Sequence, residues 1–242
     1  MRRLTAAGNL LGVVLGIAFL GTTVPFEVVY RLALCSVQVP ELPKSEVSSA
    51  VGETLWLAVG EPRGAAVQPF WAWAWLVHPS DARGGRSAIH EVTRLWLKRR
   101  PPRASFLSEL ALDVWLSRHA TAVQLQRALA EWEDFGRNAV GISAAASAYF
   151  DVGPADLQPH QLALLASIVS YHSGLDPFCD AEAALSRRAL FLGQMVGVGL
   201  LPKGQALQTL AAPLGVAPTE CVCKRPGRSS RVEPRAIQAL SG

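Results

Sequence analysis

The chain has 242 residues and a mass of 25.9 kDa, and with 50% hydrophobic against 17% charged residues it is no disordered segment and has enough apolar side chains for a buried core. Its 23 Lys and Arg against 19 Asp and Glu leave a net charge of +4 and a pI near 9.1, a mild excess that suits a phosphate-bearing or membrane-surface partner and does not call for nucleic acid. The four cysteines, Cys35, Cys179, Cys221 and Cys223, show no paired C-x-x-C spacing, which argues against a zinc site or a dense disulfide framework.

From Leu4 to Val24 the sequence is uncharged, about the 20 residues that a helix needs to cross a bilayer. Arg2 and Arg3 precede it, and the positive-inside tendency places the amino terminus in the cytoplasm and the body on the outer face. A cleaved signal peptide is the rival reading, but the run is long and lacks a small-x-small cleavage site. Leu34 before Cys35 is too bulky for a lipoprotein box. Residues 1–26 therefore read as a cytoplasmic start and transmembrane anchor, and 27–44, with VPELPK at its end, as a linker. A domain over 45–212 and a Pro/Gly/Arg-rich tail over 213–242 follow.

Within the domain helical spacing dominates. Ile89, Val92 and Trp96 share a face, as do Leu107, Leu110, Ala111 and Val114. Thr121 and Gln124 have capping-box spacing, Pro159 stands just inside the start of HQLALLASIV, and Asp180 precedes AEAALSRRALFLGQM. The class is mainly α. No strand leads into a glycine-rich turn, so a dinucleotide site is not expected.

The most specific stretch holds Phe135-Gly136, then GISAAASAYF from Gly141 to Phe150, then DLQPHQLALLASIV and Ser173-Gly174-Leu175-Asp176-Pro177, with Arg187-Arg188 and Met195 beyond. It resembles glycosyltransferase family 51, the peptidoglycan glycosyltransferases, whose pattern runs F-G-x-G-x-x-G-I-x-x-A-A-x-x-Y-F, L-x-x-x-E-A-A-L-L-A and R-R-x-x-V-L-x-x-M. The resemblance implies a lysozyme-like glycosyltransferase domain behind one transmembrane helix, single-pass in the cytoplasmic membrane and facing the periplasmic or extracytoplasmic side. Upstream, Glu61 matches the family's catalytic glutamate in E-D-x-x-F-x-x-H, while Pro62, Ala65 and Gln68 replace its other residues. Against G-G-S-T-I-T-Q-Q-x-x-K-N stand Gly84-Gly85 and Arg94, with Ser87 recovered by a shift of one, and the glutamine pair is lost. Against R-K-x-x-E only Glu109 is kept, on a polar stripe with Ser105 and Asp113.

The implied reaction polymerises lipid II. A carboxylate takes the proton of the acceptor's sugar hydroxyl as it attacks the donor's anomeric carbon, and undecaprenyl pyrophosphate leaves. The resemblance makes Glu61 the base, sets Glu109 near the leaving group, where a divalent ion is the one cofactor suggested, and makes Ser87, Arg94 and Lys98 substrate-binding. Between Arg83 and Arg103 seven basic residues face the single acid Glu91, a bias toward a pyrophosphate or an anionic bilayer surface. FWAWAW, from Phe70 to Trp75, suits a membrane interface or a filled core. The five histidines are scattered and read as structural. Lipid II, the nascent glycan strand, the membrane and cell-wall synthesis proteins are the partners expected, and nucleic acid is not. The alternative is a catalytically silent relative that binds lipid II, glycan or a cell-wall partner as a scaffold or regulator. Glycan hydrolysis is a third reading, without a recognisable hydrolase motif.

Overall fold

The computed structural model describes residues 20–71, 84–99, 105–171 and 175–216. Among them the chain is helical, with no strand and one isolated bridge, Asp134 to Val140. The helices are α1 over 20–35, α2 (Ser49–Ala58), α3 (Arg86–Lys98), α4 (Phe106–His119), α5 (Ala122–Trp132), α6 (Ile142–Phe150), α7 (Pro159–Tyr171), α8 (Ala181–Gly197) and α9 (Lys203–Ala211). They fall into two compact units. One comprises described residues within 1–41 and 66–120, the other those within 42–65 and from 121 onward. The segment read as one domain over 45–212 is therefore divided.

In the first unit α3 packs on α4, burying Ile89, Val92 and Leu95. Phe26, Tyr30, Ala33 and Leu34 of α1, at helical spacing, pack against Leu110, Ala111, Val114 and Trp115 of α4. The expected linker over 27–44 is thus helical as far as residue 35, because this apolar face continues past the first charged residues. Glu27 does not end the helix, since Arg118 takes its carboxylate in two hydrogen bonds of 3.1 and 2.5 Å. The same guanidinium lies over the rings of Tyr30 and Trp71 at 4.9 and 4.0 Å. The expected span Leu4–Val24 falls mostly outside the described residues, among which no helix is long and apolar enough to cross a membrane.

Hydrogen bonding from Arg118 holds the Glu27 carboxyl below its usual range. A carboxylate whose folded-state pKa is depressed stabilises the fold above its unfolded pKa, and the stabilisation is lost as pH falls through the lowered value. Acidification below the ordinary carboxylate range, about pH 4, is expected to loosen α1 in the parent and to have a smaller effect in Glu27→Gln. Hydrogen exchange in α1 across that range measures it, and equal acid sensitivity in both proteins would refute it.

The second unit packs α2 against α5 and α7, and α8 against α7 and α9. Trp56, Leu125, Leu129, Leu164, Leu165 and Phe191 are buried there. Its helix starts follow the sequence signals. Thr121 and Gln124 form the reciprocal capping box, Pro159 is the first residue of α7, and Asp180 accepts from the Ala183 N–H at 3.0 Å. Gly141 caps α6 at φ 84°, where a Cβ would stand 2.8 Å from the Glu131 carbonyl oxygen, so the close approach of α5 and α6 requires glycine. Asn138, at the second glycine of the F-G-x-G pattern, takes the left-handed conformation at φ 61°, which asparagine tolerates better than most residues. Tyr149 donates to the Phe135 carbonyl at 2.6 Å; burial, chiefly, pushes its hydroxyl up to about 12, so it stays a neutral donor. Cys179 is disulfide-bonded and Cys35 is an exposed free thiol.

Candidate active site

Glu61 follows α2 directly. The Gly60 N–H donates to the Leu57 carbonyl at 2.9 Å and the Glu61 N–H to the Trp56 carbonyl at 3.1 Å, with Gly60 at φ 87°; this pair of bonds closes a helix with a left-handed glycine. The chain beyond is tied down by Trp56 Nε1 donating to the Pro62 carbonyl at 3.2 Å, and by Arg63, which pairs with Glu53 at 3.0 Å and donates to the Gly199 carbonyl at 2.6 Å. Glu61 is 1% exposed. A general base must come within about 2.6–3.2 Å of the oxygen whose proton it takes, and in this conformation the carboxylate is held in the interior.

The remaining site residues belong to the first unit. Gly85 caps α3 in the left-handed region, and the Gln68 N–H donates to the Gly84 carbonyl at 3.1 Å, fixing where the helix begins. Ser87 and Lys98 are exposed in its first and last turns. Arg94 is exposed between them, its guanidinium making two hydrogen bonds to the buried Glu91, one of 2.9 Å from Nε and a shorter one from Nη2. The lone acid of the basic segment thus partly neutralises the cation read as the lysine equivalent. Ser87, Arg94 and Lys98, spaced i, i+7 and i+11, lie along one face of α3. Glu109 is half-buried in the first turn of α4. Ser105 is not its neighbour on a helical stripe: it is the N-cap in extended conformation, accepting from the Ser108 N–H at 3.2 Å.

The structure brings Ser87, Arg94 and Lys98 onto α3 and Glu109 onto the helix packed with it, while Glu61 belongs to the second unit. Phe70 and Trp71 are pinned to α4, the Phe70 N–H donating to Ser117 Oγ and its carbonyl accepting from Arg118 Nε, both at 2.9 Å. Trp73 and Trp75 lie outside the described residues, as do Arg83, Arg100 and Arg103. Two features escaped the sequence reading. One is Arg118, the cation that gathers Glu27, Tyr30, Phe70 and Trp71. The other is the pairing of His90 Nδ1 with Asp113 Oδ2 at 3.3 Å. The signal for His90 was its place in a series with Arg86, Arg94 and Lys98 at four-residue intervals.

Among the described residues no three His, Cys, Asp or Glu side chains converge on one point.

Residues 92–196 match the family model described as Transglycosylase. A stretch of 67 residues, 28% of this chain, is 46% identical to penicillin-binding protein 1A of Mycolicibacterium smegmatis and covers 8% of that protein. Over 75 residues, 31% of the chain, identity is 44% to penicillin-binding protein 1A of Mycobacterium tuberculosis, with 9% of it covered. Over 117 residues, 45% of the chain, identity is 32% to penicillin-binding protein 1A of Streptococcus oralis, with 18% covered. The chain thus spans less than a fifth of the length of these relatives.

Proposed function

We propose that this chain, whose residues 92–196 match the family model described as Transglycosylase, is a peptidoglycan glycosyltransferase that polymerises lipid II into glycan strands. The observation that carries the reading is that the family match extends from α3 through α8 and includes the motif residues from Phe135 to Pro177 together with Arg187, Arg188 and Met195. In the proposed step the proton of the acceptor hydroxyl passes to Glu61, the oxygen bonds to the anomeric carbon, and the bond from that carbon to the pyrophosphate oxygen breaks with its electron pair leaving on undecaprenyl pyrophosphate. Ser87 and Lys98 bind the departing phosphates together with Arg94, whose guanidinium Glu91 holds in place. Glu109 sits at the leaving-group side. The Cys179 disulfide supports an extracytoplasmic domain, since such bonds persist in oxidising compartments.

The burial of Glu61 and the Glu91 pairing of Arg94 favour a second reading, a silent relative that binds lipid II or glycan as a scaffold. Incubating the detergent-solubilised chain with labelled lipid II distinguishes the two: polymer supports the enzyme, and bound but unconsumed lipid II supports the scaffold. In both readings, replacing Arg94 and Lys98 together by glutamine is expected to weaken binding to lipid II vesicles, most visibly at low salt because exposed charges are screened. Unchanged affinity and salt dependence would make that face of α3 a solvated surface only.

A further inference from the structure

Among the described residues of the first unit, the outward face of α1 is uncovered. Phe26, Tyr30, Ala33 and Leu34 turn inward to α4, and at about 100° per residue the opposite side of the helix carries Gly21, Val24, Val28, Leu32 and Cys35. Val24, Val28 and Leu32 are 54%, 51% and 68% exposed. Gly21 and Cys35 are exposed with them, and nothing lies within 4 Å of the place a Cβ would take on Gly21. Gly21, Val28 and Cys35 stand seven residues apart with Val24 and Leu32 between them, the spacing of a seam between two helices. Beside it, Glu27 is held by Arg118 and Arg31 is exposed. Ionised side chains at that level keep Val28 and Leu32 out of hydrocarbon, so these apolar side chains meet water unless protein covers them. The stripe ends on Cys35, a free thiol in a chain whose Cys179 is disulfide-bonded; a thiol left over where disulfides persist points to pairing between chains.

We propose that this face binds the same face of a second copy of the chain, with the two α1 helices parallel and their Cys35 side chains joined in a disulfide. In a twofold pair of parallel helices each seam residue meets its own counterpart, which brings the two Cys35 to the Cα separation of about 4.4–6.8 Å that a disulfide needs. The seam from Gly21 to Cys35 is about 21 Å long, and two faces of that length bury less than the ~1,200 Å² of a stable interface. The covalent bond therefore holds the pair, while the apolar seam selects partner and register. Bond formation takes a small-molecule or protein disulfide as oxidant. One Cys35 thiolate attacks it and expels a first thiol, leaving a mixed disulfide; the second copy's Cys35 thiolate attacks the first Cys35 sulfur and expels the other. Two thiols are oxidised to one disulfide as the oxidant's disulfide is reduced, and the two protons pass to the thiols released. The pairing applies to an active enzyme and to a silent relative alike.

Non-reducing electrophoresis of the full-length chain in detergent, after incubation with glutathione disulfide, tests it. The expected result is a dimer that a reductant dissolves and that Cys35→Ser does not form. Val28→Glu sets two carboxylates across the seam and should cut the yield of dimer about tenfold, at an unchanged melting temperature because Val28 is exposed. In the Cys35→Ser background, Val28→Cys should restore the cross-link, whereas Ser36→Cys, turned about 100° from Cys35, should not. Chance collision of exposed thiols would not tell these two positions apart. A dimer that persists in Cys35→Ser, which would assign it to Cys221 or Cys223, overturns the proposal, as does equal cross-linking from positions 28 and 36. A chain that stays monomeric, with a fluorophore on Val28→Cys reporting hydrocarbon in vesicles, would give the face to lipid and overturn it as well.

Discussion

Glu61→Gln is expected to reduce polymer formation by about 10²-fold or more, the usual contribution of a general base, while lipid II binding survives. Glutamine keeps the shape of the buried side chain and removes its capacity to accept the proton. Because Glu61 is 1% exposed and follows a helix end fixed by several hydrogen bonds, a melting curve must accompany the rate. Lost activity with an unchanged melting temperature assigns the loss to chemistry. Glu109→Gln is expected to slow turnover less, through poorer stabilisation of the leaving pyrophosphate. An active parent with an equally active Glu61→Gln would put the base elsewhere.

Arg188→Met is expected to destabilise the second unit strongly. Arg188 is 1% exposed, and its guanidinium donates to the carbonyls of Ala212 at 2.6 Å, Pro213 at 2.9 Å and Leu210 at 3.4 Å. These are the last oxygens of α9 and the residues just beyond it, where the helix dipole favours a cation. Burial lowers the arginine's pKa from its ordinary value, the cost that these charge-assisted bonds offset. Methionine fills much of the space but leaves the carbonyls unpaired, a loss of about 3 kcal/mol, or roughly 6–12 °C in melting temperature for a domain of this size. Arg188→Lys, which keeps the charge but not the fork, should fall between the two. A melting temperature unchanged in Arg188→Met would show that α9 is held by its apolar contacts alone.

The helices of the second unit were legible because their ends carry local chemistry: Thr121 with Gln124, Pro159, Asp180 and Gly141 each act within a few residues of themselves. Arg188 was legible as half of an Arg-Arg pair, but its partners lie more than 20 residues away on a helix end that has no sequence signature. The extension of α1 to residue 35 was obscured by Glu27 and Arg31, charges that read as the end of an apolar run until Arg118, 91 residues after Glu27, neutralises the first. The pairing of His90 with Asp113 was hidden for the same reason, since it joins two helices through a packing that spacing within one helix does not reveal. Ser87, Arg94 and Lys98 entered the sequence reading only as motif matches and basic residues, and it is the spacing of i, i+7 and i+11 along α3 that gives them a common face. The burial of Glu61 and the capture of Arg94 by Glu91 depend on tertiary context and on rotamers, which motif alignment does not encode.

Release of undecaprenyl pyrophosphate from labelled lipid II by this chain in detergent, followed together with glycan length, tests the central claim most directly, because each glycosyl transfer releases one pyrophosphate and lengthens one strand, whereas hydrolysis releases it without polymer. Undecaprenyl pyrophosphate appearing in step with lengthening glycan, and suppressed in Glu61→Gln, is the expected result. Lipid II that stays bound and intact, across detergents and divalent ions, would contradict it.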